Sequence, residues 1–360
     1  AGTIEITDIG TSSAAGVSGA TAIGNTSTGT LTLDGTVYTT TGTQTYTAAT
    51  GGGNIDITNT AGTTFTTTNT AVAFNTSGVD LANNATTTID TGTGAGDVTF
   101  QGAIETNGSD NDILTVTSGT GTVTFTGAIG ATEELGGLNV NASSGNGVIT
   151  FTSTIGDSDN AGVIGTTSIG NAATSDLNFN STIYKFDGAT TITAASGDTI
   201  DMGAGAATTF TTAADNITFA TGNIELANGS NLTVDTGAAG GNITIGEIGG
   251  TSVETVTLDA GTGTTSVGVI GSGTEIGALS IGSAENGGIT LNGAITTDGV
   301  VTLDGPITLA TGAITITTAD DAINLQGTVD GGQALTLSSG SAAVTVDGAI
   351  GSSTALTSLT

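Results

Sequence analysis

The chemically active side chains of this sequence are almost all carboxylates: 32 Asp and Glu stand against one base, Lys185, with no His, Cys or Arg. That inventory removes nucleophile–base triads, imidazole or thiolate zinc sites and guanidinium clamps on anions. Oxygen chemistry is left. The densest oxygen-ligand stretches are residues 107–112 (NGSDND) and 157–160 (DSDN). Their Asp110, Asp112, Asp157 and Asp159 are of the type that holds Ca²⁺. Neither stretch has the spacing of the twelve-residue helix–loop–helix site, and residues 51–56 (GGGNID) miss the GGxGxDxxx tandem. A solvated loop is the alternative reading for both. Glu133-Glu134 and Asp320-Asp321 read as surface charge.

Paired carboxylates can hydrolyse glycosides, but sites for acidic sugars also need bases. Lys185, between Tyr184 and Phe186, reads as a lone solvated charge. Residues 92–96 (GTGAG) lack the Lys and the following helix of a phosphate-binding loop. The expectation is a protein that is not an enzyme and requires no cofactor, with Ca²⁺ the one candidate ion.

A net charge of −31 repels nucleic acid and anionic membranes, so neither is an expected partner. The charge keeps a Thr-rich surface soluble; the alternative is that divalent cations bridge neighbouring filaments or stabilise turns. No cysteine means no disulfide staple. No apolar run is long enough for a membrane span, and a secretion signal, if used, is expected to have been removed or to lie upstream.

What must position these residues is a repeat. Ala22-Ile23-Gly24-Asn25 returns as Ser168-Ile169-Gly170-Asn171 at offset 146, and residues 33–38 (LDGTVY) return as 179–184 (FNSTIY). Residues 79–83 (VDLAN) return as 224–228 (IELAN), and 127–130 (GAIG) as 268–271 (GVIG), the offset drifting to 141. A shortened third copy matches 123–138 to 344–359 at offset 221. The copies run about 1–146, 147–287 and 288–360 within one continuous array over 1–360.

A five-residue motif (large apolar, any, Gly or Ser, small, aliphatic) recurs within the copies at 100–104 (FQGAI), 125–129 (FTGAI), 151–155 (FTSTI) and 303–307 (LDGPI). Its spacing wanders between 21 and 28, which predicts one structural rung with loops of varying length. Between motifs, Ile314-Thr315-Ile316 and Val256-Thr257-Leu258 alternate with period two, which predicts strands with aliphatic residues inward and Thr outward. About 80 Thr, 61 Gly and a single Pro suit short extended segments separated by tight corners. With 36% hydrophobic and only 9% charged residues, the composition is not that of a disordered chain. The fold expected is all-β, a single-stranded parallel β-helix (β-solenoid) of about 15 rungs and on the order of 70 Å long.

Residues 241–271 and 332–360, rich in Gly, Thr and alternating aliphatics, resemble the β-strand repeats of filamentous-haemagglutinin-like giant bacterial surface proteins. The resemblance covers nearly the whole chain and implies a right-handed β-helix, secretion to the cell surface, and an adhesin or filament shaft. Both ends read as uncapped strands, and joining Thr360 to Ala1 nearly continues the repeat. Copies of the chain are therefore the expected partners, stacked head to tail or as segments of a longer filament. A Ca²⁺-dependent adhesin that binds surface carbohydrate is an alternative. Thr-aliphatic-Thr pieces such as 124–126 and 315–317 raise ice binding as a minor one, although rungs of unequal length are expected to break the register that ice requires.

Overall fold

The computed structural model describes residues 2–108, 111–141, 143–283 and 286–360, and among these every regular element is a strand. The strands pair in parallel and wind a β-solenoid of about 15 turns. Two compact units divide it: Ala1–Gly188 with Ile192–Asp198, and Ala189–Thr191 with Thr199–Thr360.

Each coil of the first unit has three sides. Side 1 stacks Gly2–Ile6, Thr28–Leu33, Asn54–Ile57, Gly78–Leu81 and Ala103–Thr106, then continues through bridges at Ile129, Ile155 and Tyr184. Side 2 runs from Val37–Thr39 through Thr63–Thr66, Thr86–Asp90 and Ile113–Thr117 to Gly137–Val140 and Thr167–Ile169. Side 3 includes Thr21–Gly24, Gln44–Thr47, Val72–Asn75, Val98–Phe100, Val123–Phe125, Ile149–Phe151 and Leu177–Phe179.

Inward residues stack in register from coil to coil. Along side 1 the stack is Ile4, Leu31, Ile55, Val79, Ile104, Ile129, Ile155 and Tyr184, so the step along the chain grows from 24 at Leu31-to-Ile55 to 29 at Ile155-to-Tyr184. In the second unit Phe210, Val234, Leu258, Ile281, Leu303, Leu325 and Val346 follow one another, and there the step shrinks from 24 to 21. The expected range of 21 to 28 thus becomes 18 to 29, the shortest step being Ile289 to Ile307. Unequal coils keep their register because the additional residues are held in the corners while the strands stay aligned. The premise that unequal rungs break the outward rows is therefore corrected: Thr209, Thr233, Thr257, Ser280, Thr302, Asn324 and Thr345 form one unbroken in-register row.

The β-branched and aromatic residues that favour strands also fill the core. On side 3, Phe74, Phe100, Phe125, Phe151 and Phe179 form one column, with centroids 4.9, 5.4, 5.0 and 5.3 Å apart and planes within 9°. That spacing follows from the strand separation of about 4.8 Å, with the rings offset-stacked. Corners are tight enough to demand a missing side chain. A Cβ on Gly127 would come within 2.2 Å of the carbonyl carbon of Gly102.

The five-residue motif does not mark one place on the rung. Residues 100–104 and 125–129 turn from side 3 to side 1, whereas 33–37 (LDGTV) turn from side 1 to side 2. In the second unit 291–295 (LNGAI) and 303–307 also turn different corners, since Ile307 pairs with Ile289 and Ile295 with Ile316. The long copies shift in the same way. Ile23 lies on side 3 and its counterpart Ile169 on side 2; Tyr38 lies on side 2 and its counterpart Tyr184 on side 1. A copy therefore spans a whole number of sides but not of coils. The three sides are interchangeable hosts for the same strand-and-corner unit. Local bonding survives the shift: Gly35 N donates to Tyr38 Oη at 2.9 Å, and Ser181 N to Tyr184 Oη at 2.9 Å. Burial pushes the Tyr38 phenol up to about 12, and its hydroxyl donates to the Ile6 carbonyl at 2.7 Å.

Candidate functional site

Of the candidate calcium ligands, Asp112, Asp157 and Asp159 are among the described residues. Asp110 lies outside the described residues. Asp112 is buried, and its carbonyl accepts from Gly136 N. Asp157 Oδ1 accepts the N–H groups of Asp159 and Asn160, both at 2.7 Å, and these bonds hold its carboxyl below the usual range, with help from the Lys185 charge. Asp159 contributes its backbone: its carbonyl, with that of Ser158, accepts from Lys185 Nζ at 2.9 and 3.2 Å. Lys185 is therefore a clamp on the 157–160 loop, which corrects its reading as a solvated charge. Among the described residues no group of three or more carboxylates is placed to hold a metal ion.

The glycines of 92–96 turn their N–H groups onto the chain itself: Gly92 N donates to Asp90 Oδ1 at 2.8 Å and Gly94 N to Asn69 Oδ1 at 2.6 Å. A groove of about 420 Å³ nearby is lined by Asp90, Thr93, Thr117, Ser143, Asn146 and Asn171. It offers hydroxyl and amide groups with one carboxylate.

The residues that sequence reasoning missed are acceptors that latch one coil to the next. Glu105 accepts from Thr132 N and Glu133 N at 3.1 and 3.0 Å. Asp330 accepts from Ser353 N and Thr354 N at 2.7 and 3.0 Å, and from Ser352 Oγ at 3.3 Å. Those two turns are copies of one motif, matched at the offset that relates 123–138 to 344–359. Glu247 accepts from Ser272 Oγ at 3.0 Å in the corresponding turn of the second copy. Elsewhere Asp8 accepts from Thr36 N and Val37 N, Asp97 from Thr122 N, and Asn242 from Thr264 N. Except at Glu247, whose donor is a hydroxyl, these latches satisfy backbone N–H groups at or beside the corners. Asp320, read as surface charge, is another, accepting from Ser341 N at 2.8 Å.

Glu254 is the extreme case. It is fully buried (0% exposed), yet it accepts from Thr251 N, Thr251 Oγ1 and Gly229 N. Burial alone would raise its carboxyl; the hydrogen bonds outweigh burial and hold it low. Much of the acidic charge is thus structural: carboxylates are placed where coils need acceptors. For Glu105 and Asp330 the N–H partners lie a whole coil downstream on the backbone, so no side-chain motif announces them.

Comparison with protein-family models, with curated proteins and with solved structures found no match.

Proposed function

We propose that this chain is a structural element, the shaft of an extracellular fibre or adhesin of the filamentous-haemagglutinin-like kind, without catalytic activity. The observation that carries the reading is the coil-to-coil register: an inward phenylalanine column in the first unit and an outward polar row in the second. Side chains of reactive type are engaged in holding coils together, as Glu105, Asp330 and Lys185 illustrate. Such a stack resists extension because force along it is shared by every strand ladder.

In this reading the next coil is supplied by a further copy or by continuing chain. Gly2–Ile6 and Val344–Val346 are terminal strands of their sheets, and Val344, Ile350 and Leu359 are 41%, 39% and 51% exposed. Strand addition at such edges would cover both unpaired backbone and apolar side chains. Negative-stain electron microscopy of the purified chain tests this: slender particles whose lengths fall in multiples support it, and uniformly compact particles would overturn it.

A second reading is ice binding, favoured by the register of the outward Thr209-to-Thr345 row. Thermal hysteresis in the purified protein would establish it.

A further inference from the structure

Two stacks of carboxylates climb successive coils, one in each unit. In the first, Asp56 is in register with Asp80, and Asp80 with Glu105. In the second, Asp201 is in register with Glu225, and Glu247 joins from the next coil, paired with Asn223. All six residues are half-buried. They are also copies of one another, Asp56 matching Asp201, Asp80 matching Glu225 and Glu105 matching Glu247. Their supports are duplicated too. Asn54 Nδ2 donates to Asp56 Oδ1 at 2.9 Å, as Thr199 Oγ1 donates to Asp201 Oδ2 at 2.9 Å. Asn54 Nδ2 also bonds Asp80 Oδ2, tying two coils together. At the top of each stack, Glu105 and Glu247 are held by the turn of the following coil.

Among the described residues, the charged groups that face Asp80, Glu105 and Glu225 are carboxylates. Asp80 faces Asp56 on one neighbouring strand and Glu105 on the other. Glu105 faces Asp80 on one side and, on the other, the turn that carries Glu133. Glu225 faces Asp201 and Glu247, and its carboxylate lies over Gly249, whose Cβ would sit 2.9 Å from Oε2. Like charges directly opposite on paired strands repel, whereas a proton shared between neighbouring carboxyls makes a short charge-assisted hydrogen bond.

We propose that these duplicated stacks are proton-operated fasteners, loose at neutral pH and closed by mild acid, so that the coils which carry them are firmer near pH 5 than near pH 8. Burial first, and then the neighbouring carboxylates, raise Asp80 and Glu225. Burial also raises Glu105, against the N–H groups it accepts from. A raised carboxyl binds its proton better folded than unfolded. Its contribution is therefore complete below the ordinary carboxyl range of about 4 and is lost as pH rises through the raised values.

The test is the thermal unfolding midpoint of the full chain at pH 8, 6.5 and 5 in 1 M NaCl, where a screening length of about 3 Å suppresses the general repulsion of the net charge. The midpoint should rise by several degrees from pH 8 to pH 5. Asp80→Asn with Glu225→Gln should melt higher than the parent at pH 8 and lose at least half of the rise. Asp298→Asn, at an exposed carboxylate outside both stacks, should keep it. Hydrogen exchange of the parent gives a readout independent of variants: amides of 78–81 and 223–226 should gain more protection at pH 5 than those of 123–125, after correction for intrinsic rates. A flat or falling parent midpoint, a full rise in the double variant, an equal loss in Asp298→Asn, or uniform protection would each overturn the proposal.

Discussion

Lys185 Nζ donates to the carbonyl oxygen of Asp159 at 2.9 Å, so the one base of the chain closes a loop of the preceding coil. That loop lies in the longest coil of side 1, the one that runs from Ile155 to Tyr184. An ammonium thus takes the carbonyl oxygens of Ser158 and Asp159 that a calcium ion would need, and Asp157 is already engaged by two N–H groups.

Lys185→Met should leave the unfolding free energy within about 0.5 kcal/mol of the parent, because surface polar contacts contribute little to global stability. It should accelerate hydrogen exchange at the amides of Asp159 and Asn160, read by mass spectrometry or NMR. Chelation with EDTA should leave both the midpoint and those amides unchanged. A drop in midpoint on chelation would restore the 157–160 loop as a calcium site.

The phenylalanine column gives a larger effect. Phe125 is 1% exposed and sits between Phe100 and Phe151, at centroid distances of 5.4 and 5.0 Å. Phe125→Ala removes two stacking partners and leaves a cavity that neighbouring coils cannot collapse into, since their strands are fixed by ladders on both sides. A loss of about 3–5 kcal/mol is expected. Phe125→Leu should cost about 1 kcal/mol, because it fills most of the volume. Urea denaturation monitored by circular dichroism checks both.

How far these features could be read in advance depends on range. The alternation at Ile314-Thr315-Ile316 correctly places Ile314 and Ile316 inward, with Thr315 less buried between them. The period was legible because each corner must be small, as Gly102 and Gly127 are. Which corner a motif turns was not legible. Residues 33–37 and 100–104 look alike yet lie at different corners, because a strand-and-corner unit of either kind fits any side. The roles of Glu105 and Asp330 were hidden for a related reason. Their partners are backbone N–H groups whose position depends on how many residues each corner absorbs, and the sequence of the acceptor carries no trace of that.

Asp330 provides the opposite pH behaviour to the stacked carboxylates. Hydrogen bonds from Thr354 N, then Ser353 N, hold its carboxyl low. Its contribution is present above the ordinary carboxyl range and is lost as pH falls through the depressed value. Exchange at the Ser353 and Thr354 amides should therefore speed up, relative to intrinsic rates, only in strong acid. Asp330→Ala should speed it up at every pH, and Asp330→Asn should largely preserve protection through its remaining acceptor oxygen. Unchanged protection in Asp330→Ala would remove the latch from the account.

The outward row decides between a shaft and an ice-binding face. Thr233, Thr257 and Thr302 lie in it with their hydroxyls on the outer surface, while the strands are held by backbone ladders and by Val234, Leu258 and Leu303 on the inner face. Replacing the three Thr by Val keeps the β-branch that suits a strand and removes only the hydroxyls. Stability should stay within about 0.5 kcal/mol per site. Under the shaft reading, neither the parent nor the triple variant shapes ice crystals or lowers the freezing point beyond its colligative effect, as read by nanolitre osmometry. Hysteresis in the parent that disappears in the variant would transfer function to this row, with the columns and latches behind it keeping the hydroxyls in register.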